Sequence, residues 1–274
     1  MKFKSIFIIF NISIVFFLLA SGLLPLLILG SGFSGGFFAA AWPLFLILIS
    51  ALAGLNVFYF SRRRLYYLLE REDWPALQEY LEQRVLSRGH YSSRLVQILA
   101  NTYLVMSDSA AVTALENKTA IAKPALVEAN ALVFGAARIL GGDPAGAAGF
   151  FSLRLIRGKA KDLQWIRWYY GFSLLLDRQF GKAEAEFRVL AFESGDAVIT
   201  GLSAYFLADT LLKYTENRGE CQAKADAGRE RVLGSLKTID DWNREAAKIE
   251  TEVHAAILKK YIGQAGTWLF GSGA

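Results

Sequence analysis

The chain of 274 residues is poor in the groups that most catalytic and metal centres are built from, with one cysteine, Cys221, and two histidines, His90 and His254. A single cysteine excludes an intrachain disulfide and a cysteine-based metal cluster, and suits a reducing compartment. Neither Arg88-Gly89-His90-Tyr91 nor Thr251-Glu252-Val253-His254 carries a second ligand at metal-binding spacing, so both histidines read as surface or packing residues. Cys221 stands in Gly219-Glu220-Cys221, at a helix start that can lower a thiol pKa, but it has no histidine near it in sequence and reads as unreactive. The carboxylate pairs Glu184/Glu186 and Asp240/Asp241 diverge on a helix, and no serine elbow, lysine-bearing phosphate loop or kinase-like set occurs. The expected class is therefore non-enzymatic, with no catalytic residue, cofactor or metal.

Charge is missing from the beginning of the chain. No Asp or Glu precedes Glu70, and Ser5–Ser61 contains no Asp, Glu, Lys, Arg or His. A bilayer core of about 30 Å needs only about 20 apolar residues, so this stretch is long enough for two spans. The dense glycines of Gly30-Ser31-Gly32-Phe33-Ser34-Gly35-Gly36 mark the natural reversal. The expectation is a transmembrane hairpin over residues 1–61, with spans at about 6–29 and 37–60. Proline is scarce, five in all, and Pro25 and Pro43 fall near the turn-side ends of those spans. The G-x-G-x-x-G spelled by Gly30, Gly32 and Gly35 lacks the strand before it and the acidic residue about 20 positions later that a dinucleotide loop requires. A cleaved signal peptide ending at Ala20-Ser21-Gly22 is disfavoured because the apolar run continues far beyond a signal h-region.

The net charge is +5, from 30 Lys and Arg against 25 Asp and Glu. Five of the basic residues, Lys2, Lys4, Arg62, Arg63 and Arg64, border the apolar segment and leave the rest balanced, 25 to 25. Nucleic acid is therefore not an expected partner. The same five residues are topology-determining: the positive-inside rule places both termini in the cytoplasm, giving a two-span protein of a bacterial cytoplasmic membrane.

After Arg64 the apolar residues recur at three and four, the helical spacing. The pairs Leu77/Leu81, Ala111/Leu115, Ala147/Phe151 and Ala183/Phe187 lie 34, 36 and 36 residues apart, which marks an internal repeat. Trp165–Gly195 is its most legible unit. Gly171 stands where two helices must approach closely, Leu174 faces the partner helix, Phe180 is the turn aromatic, Ala183 and Phe187 are the small and large packing sites, and Gly195 closes the unit. On these residues the segment resembles a tetratricopeptide repeat, with the usual tryptophan displaced to Trp168. Gly135, Ala147 and Phe151 repeat the pattern around Gly141-Gly142-Asp143-Pro144, and Leu99, Ala111 and Leu115 hold equivalent positions around Ser107-Asp108-Ser109. Trp74 opens the second half of the earliest unit, whose first helix is Arg62–Arg71. A divergent pair, Ala197–Tyr214 and Cys221–Leu236, precedes a last helix from Asp241 to Ile262.

The expected fold is all-α: the hairpin, then a repeat domain over residues 62–262 made of about five helical pairs with a capping helix, then a flexible tail over 263–274. The resemblance implies a solenoid whose first helices line a concave groove. It further implies a scaffold or adaptor that binds a protein partner of unknown identity at the lipid bilayer, alone, as a homo-oligomer or in a larger membrane complex. Candidate anchors are Trp165, Trp168 and Tyr169, because one helix cannot bury so many aromatics in one face, and the basic group Arg154, Arg157, Lys159 and Lys161. The alternative is an accessory subunit of a membrane channel or transport complex whose hairpin oligomerises.

Overall fold

The structure, a computed structural model, describes residues 2–160, 162–249 and 257–271. Among these all regular structure is helical. The chain divides into two compact units, Met1–Tyr80 and Leu81–Ala274.

The first unit is dominated by α1, helical from Lys2 to Glu70. With no ionisable side chain from Ser5 to Ser61 and few polar ones to take over its N–H and C=O groups, this stretch satisfies its backbone most completely as helix. The same holds across Gly30–Gly36, where the open turn expected from the glycines is helical instead. Asn56 Nδ2 donates to Asn11 Oδ1 at 2.7 Å, although 45 residues separate them. On a straight helix they would stand about 67 Å apart, so α1 is not straight between them. Among the described residues one stretch, the 19 residues Ala39–Val57, is long and apolar enough to cross a membrane. Helix α2 (Trp74–Glu82) follows α1 after a short turn.

The second unit contains α3 (Ser93–Val105), α4 (Ser109–Ala122), α5 (Pro124–Ala129), α6 (Ala131–Leu140), α7 (Pro144–Arg157), α8 (Leu163–Leu176) and α9 (Phe180–Glu193). These are followed by α10 (Ala197–Tyr205), α11 (Arg218–Ser235), α12 (Ile239–Ile249) and α13 (Lys259–Phe270). Consecutive helices pack in pairs, α8 lying against α6, α7, α9 and α10.

One turn is built four times. Glu72, Ser107, Gly142 and Arg178 adopt left-handed φ of 54°, 61°, 77° and 60°. In each case the next N–H reaches back five residues: Asp73 to Leu68 O, Asp108 to Tyr103 O, Asp143 to Arg138 O and Gln179 to Leu174 O, at 2.8–3.2 Å. This bond closes the first helix of a pair in the Schellman manner. Asp73, Asp108 and Asp143 then cap the second helix through the N–H of Ala76, Ala111 and Gly146. The four turns recur at intervals of 35, 35 and 36 residues, so the repeat is a property of backbone geometry as well as of sequence. Only one of the four left-handed residues is glycine. Arg178→Gly is therefore expected to raise the melting temperature, relieving about 1 kcal/mol of left-handed strain.

Counting from these turns fixes the register. Four residues after the capping position stand Leu77, Val112, Ala147 and Ala183, all buried, and eight after it Leu81, Glu116, Phe151 and Phe187. The pair expected at Ala111/Leu115 is thus one residue early, because the turns on either side of it lie 35 rather than 36 residues apart. The large site of that unit holds a carboxylate, Glu116. In the next two units Phe151 lies over Gly135 and Phe187 beside Gly171. A Cβ on Gly135 would fall within the Phe151 ring, whereas one on Gly171 would meet Phe187 at 3.4 Å. Gly135→Ala is expected to cost about 1–3 kcal/mol by overpacking and Gly171→Ala clearly less, a difference read from paired thermal melts.

The C-terminus departs from expectation. The last helix foreseen over Asp241–Ile262 is two helices, α12 and α13, with residues 250–256 outside the described set. The expected flexible tail is helical from residue 263 to 270 and buries Ala265, Gly266 and Leu269. Its anchor is Trp242 of α12, fully buried, whose Nε1 donates to Ile262 O at 3.2 Å. The indole is held between Gly201 of α10 and Gly266 of α13; a Cβ on either would come within 2.7 or 2.9 Å of it. Arg229 fixes the far end of α13 with two hydrogen bonds to Leu269 O, at 3.0 and 2.9 Å.

Candidate interaction surface

Helix α8 carries the aromatic residues expected to line a groove, and most of them are core. Trp168 and Tyr169 are fully buried, which corrects their assignment as partner-binding anchors. The expectation assumed one buried face per helix, but α8 is covered by four neighbours and buries most of its circumference. Trp168 stacks on Phe172 with ring centroids 5.2 Å apart and meets Phe187 and Phe206 at 5.8 Å. Trp165, one turn earlier, is half-buried, its ring centroid 6.1 Å from that of Trp168.

The basic group separates in the same way. Arg154 is 6% exposed, so it too is corrected from a surface contact to a core residue. Its guanidinium lies 3.3 Å from the Phe150 ring centroid, and Nη1 donates to Phe150 O at 3.0 Å. Glu116 approaches it at 3.8 Å and Glu128 at 3.9 Å. Burial pulls the Arg154 guanidinium below its ordinary pKa, and the two carboxylates oppose that shift. Arg138 completes the cluster, 2.7 Å from Glu116 and over the same Phe150 ring at 4.3 Å. Arg157 is half-exposed and pairs with Glu128 at 3.3 Å, Lys159 is exposed, and Lys161 lies outside the described residues.

The ionic cluster exists because Glu116 occupies a site that is Leu81, Phe151 or Phe187 in the other units. A sequence reading set one residue out of register could not see this. Once the turns are aligned, the signal is plain: a charged residue at a repeated core position.

Of the five residues expected to set topology, the side chains of Lys2, Lys4 and Arg62 lie outside the described set. Arg63 and Arg64 are exposed, and Arg64 lies 5.3 Å from the Tyr80 ring centroid. Cys221 is buried, its thiol donates to Leu207 O at 3.6 Å, and burial pushes its pKa up, away from reactivity. His90 is exposed, and His254 falls outside the described residues. Among the described residues no group of three or more His, Cys, Asp or Glu is placed to hold a metal.

Two shallow clefts open on either side of α9. The first, about 310 Å³, is lined by Leu155, Leu163, Arg167, Val189, Glu193 and Ser194 among others. The second, about 330 Å³, lies between α9 and α11 and is lined by Arg188, Phe192 and Lys224 with the shared Val189 and Glu193. Glu186, on the same helix, pairs with Arg167 at 3.3 Å. Burial raises its pKa and Arg167 pulls the other way. A carboxyl with a raised folded-state pKa weakens the fold as pH climbs through that range, because folding then has to bury the charged form. Glu186→Gln is expected to raise the melting temperature at neutral pH, with the gain vanishing near pH 4, where the native carboxyl is also neutral.

The chain belongs to the family described as "Uncharacterised Treponema protein", whose model matches residues 111–271. That span runs from α4 to the end of α13 and contains the ionic cluster, both clefts and the Trp242 anchor. The chain is also 29% identical over 213 residues to an uncharacterized protein of Treponema pallidum (strain Nichols), covering 77% of this chain and 67% of the relative. No solved structure matches it.

Proposed function

We propose that this chain is a non-enzymatic, membrane-anchored scaffold: a two-span hairpin over residues 1–61 that holds a tetratricopeptide-like repeat domain in the cytoplasm, where it binds a protein partner. The observation that carries the reading is the turn built four times at intervals of 35, 35 and 36 residues. Stacked helical pairs of this kind present long continuous surfaces, and such surfaces are used for protein recognition. The analogy speaks for the class of function only.

The hairpin draws support from two facts. Ser5–Ser61 carries no ionisable side chain. Asn56 also hydrogen-bonds Asn11 across 45 residues of sequence, and an amide pair of this sort acts as polar glue between membrane helices. Lys2, Lys4 and Arg62–Arg64 then mark the cytoplasmic side.

Substituted-cysteine labelling of the full chain in intact cells tests the topology. With two spans, cysteines at Ser5 and Arg64 are shielded from an impermeant maleimide while one at Gly36 reacts. A single span over Ala39–Val57 would instead put Ser5 and Gly36 on the same side. Affinity capture of the detergent-solubilised chain tests the scaffold. A stoichiometric protein partner crosslinked to α3–α13 supports it, whereas ring-shaped crosslinks confined to the hairpin, with ion flux in vesicles, would favour the channel subunit.

A further inference from the structure

The repeat leaves bulky apolar side chains uncovered at two recurring positions. Ile121, Ile156 and Phe192 are each the penultimate residue of the second helix of a pair, α4, α7 and α9, and are 87%, 81% and 62% exposed. They lie 35 and 36 residues apart, so they form a row along the edge where one pair passes to the next. The ends of α7 and α9 are close neighbours, since Leu155 of α7 lines one cleft with Val189 and Glu193 of α9, and Arg157 of α7 pairs with Glu128 of α5, the short helix that follows α4. On the opposite edge Val105, Leu140 and Leu176, the last residues of α3, α6 and α8, form a second exposed row.

Charge separates the two edges. Beside Ile121 and Ile156 stand exposed Lys118, Lys123, Arg157 and Lys159, and Lys224 Nζ lies 5.1 Å from the Phe192 ring centroid. The acidic groups there are Glu128, engaged by Arg157, together with Asp162, Glu193 and Asp196, the last occupied in capping α10. The opposite edge bears a carboxylate in every unit, Asp108, Asp143 and Asp177, against Arg178 and Lys182. Exposed bulky side chains interleaved with basic ones are what an anionic lipid surface selects, since apolar groups insert at the headgroup boundary and cations are drawn to the surface charge.

We propose that the edge carrying Ile121, Ile156 and Phe192 docks the repeat domain onto an anionic bilayer, which leaves the turn edge and the remaining faces free for a protein. This rests on the reading that Ala39–Val57 lies in a membrane, which would bring the second unit close to a lipid surface. It goes beyond that reading in naming the docking edge and its lipid chemistry.

The test uses the full chain reconstituted in vesicles, in a Cys221→Ala background, with an environment-sensitive fluorophore on single cysteines replacing Ile156, Phe192, Leu140 or Leu176. In equimolar phosphatidylcholine and phosphatidylglycerol, spin-labelled lipid should quench the probes at 156 and 192 at least about twofold more than those at 140 and 176. That difference should shrink in phosphatidylcholine alone, at high salt, and in the Lys118→Glu, Lys159→Glu variant. Equal quenching at both edges, quenching indifferent to anionic lipid, or blue-shifted probes that lipid cannot quench would overturn the proposal, the last because it indicates a protein contact. Loss of the anchor itself would show separately, as release of the chain from the vesicles by alkaline wash.

Discussion

Replacing Trp242 by alanine is expected to lower the stability of the repeat domain by about 3–5 kcal/mol, the usual range for deleting a large buried aromatic. The indole is fully buried, and three elements meet on it: Gly201 of α10, Gly266 of α13 and its own helix α12. Two losses combine. The cavity left behind cannot collapse easily, since the glycines facing it have no side chain to move inward. Ile262 O also loses its indole donor. Because α13 leans on this residue, the variant should release the C-terminus before the rest of the domain. Hydrogen exchange of residues 259–270 should rise well ahead of that of α8 and α9. A cooperative loss of all helices together, or protection of α13 unchanged, would show that Trp242 is not its anchor. Trp242→Phe, which keeps most of the volume but not the donor, should retain the larger part of the stability.

The second large effect is expected at Glu116. Glu116→Leu removes the carboxylate between Arg138 and Arg154 and leaves two guanidinium groups in a largely enclosed site, with Glu128 as the remaining counter-charge near Arg154. Breaking a buried ionic cluster from one side costs about 3–5 kcal/mol, and the lower end applies here because Glu128 stays. The double variant Glu116→Leu, Arg154→Leu behaves differently. It places at position 116 the kind of residue found at Leu81, Phe151 and Phe187, and it removes the more deeply buried of the two cations that face the carboxylate, leaving Arg138, which is the more exposed. Most of the lost stability should return, so the two changes should be strongly non-additive in chemical denaturation. Additive losses would mean that the cluster is not one unit.

Much of the architecture was legible from residue spacing. Alternation at three and four identified helices, the period near 36 identified pairs, and Gly135 with Phe151 and Gly171 with Phe187 are contacts that the packing realises. What spacing could not supply was the length of each unit to one residue. An error of one rotates a helix by about 100°, enough to exchange Leu115 for Glu116 at the large site and hide a buried carboxylate. Residue type misled at the surface for a related reason. Arg154 looked like a solvent-facing charge and Trp168 like an anchor, because a sequence gives no count of the neighbours around a helix.

Two things about this protein follow from the sequence by itself: an uncharged segment of 57 residues bordered by Lys2, Lys4 and Arg62–Arg64, and a helical domain of neutral balance built from repeated pairs. Both rest on composition and period, which do not depend on what packs against what. Only the tertiary structure decided which aromatics are core, that residues 263–270 are a helix closed on Trp242, and that Ile121, Ile156 and Phe192 are exposed at the ends of their helices. Burial is a property of neighbours, and many of the neighbours of these residues lie on other helices, distant along the chain.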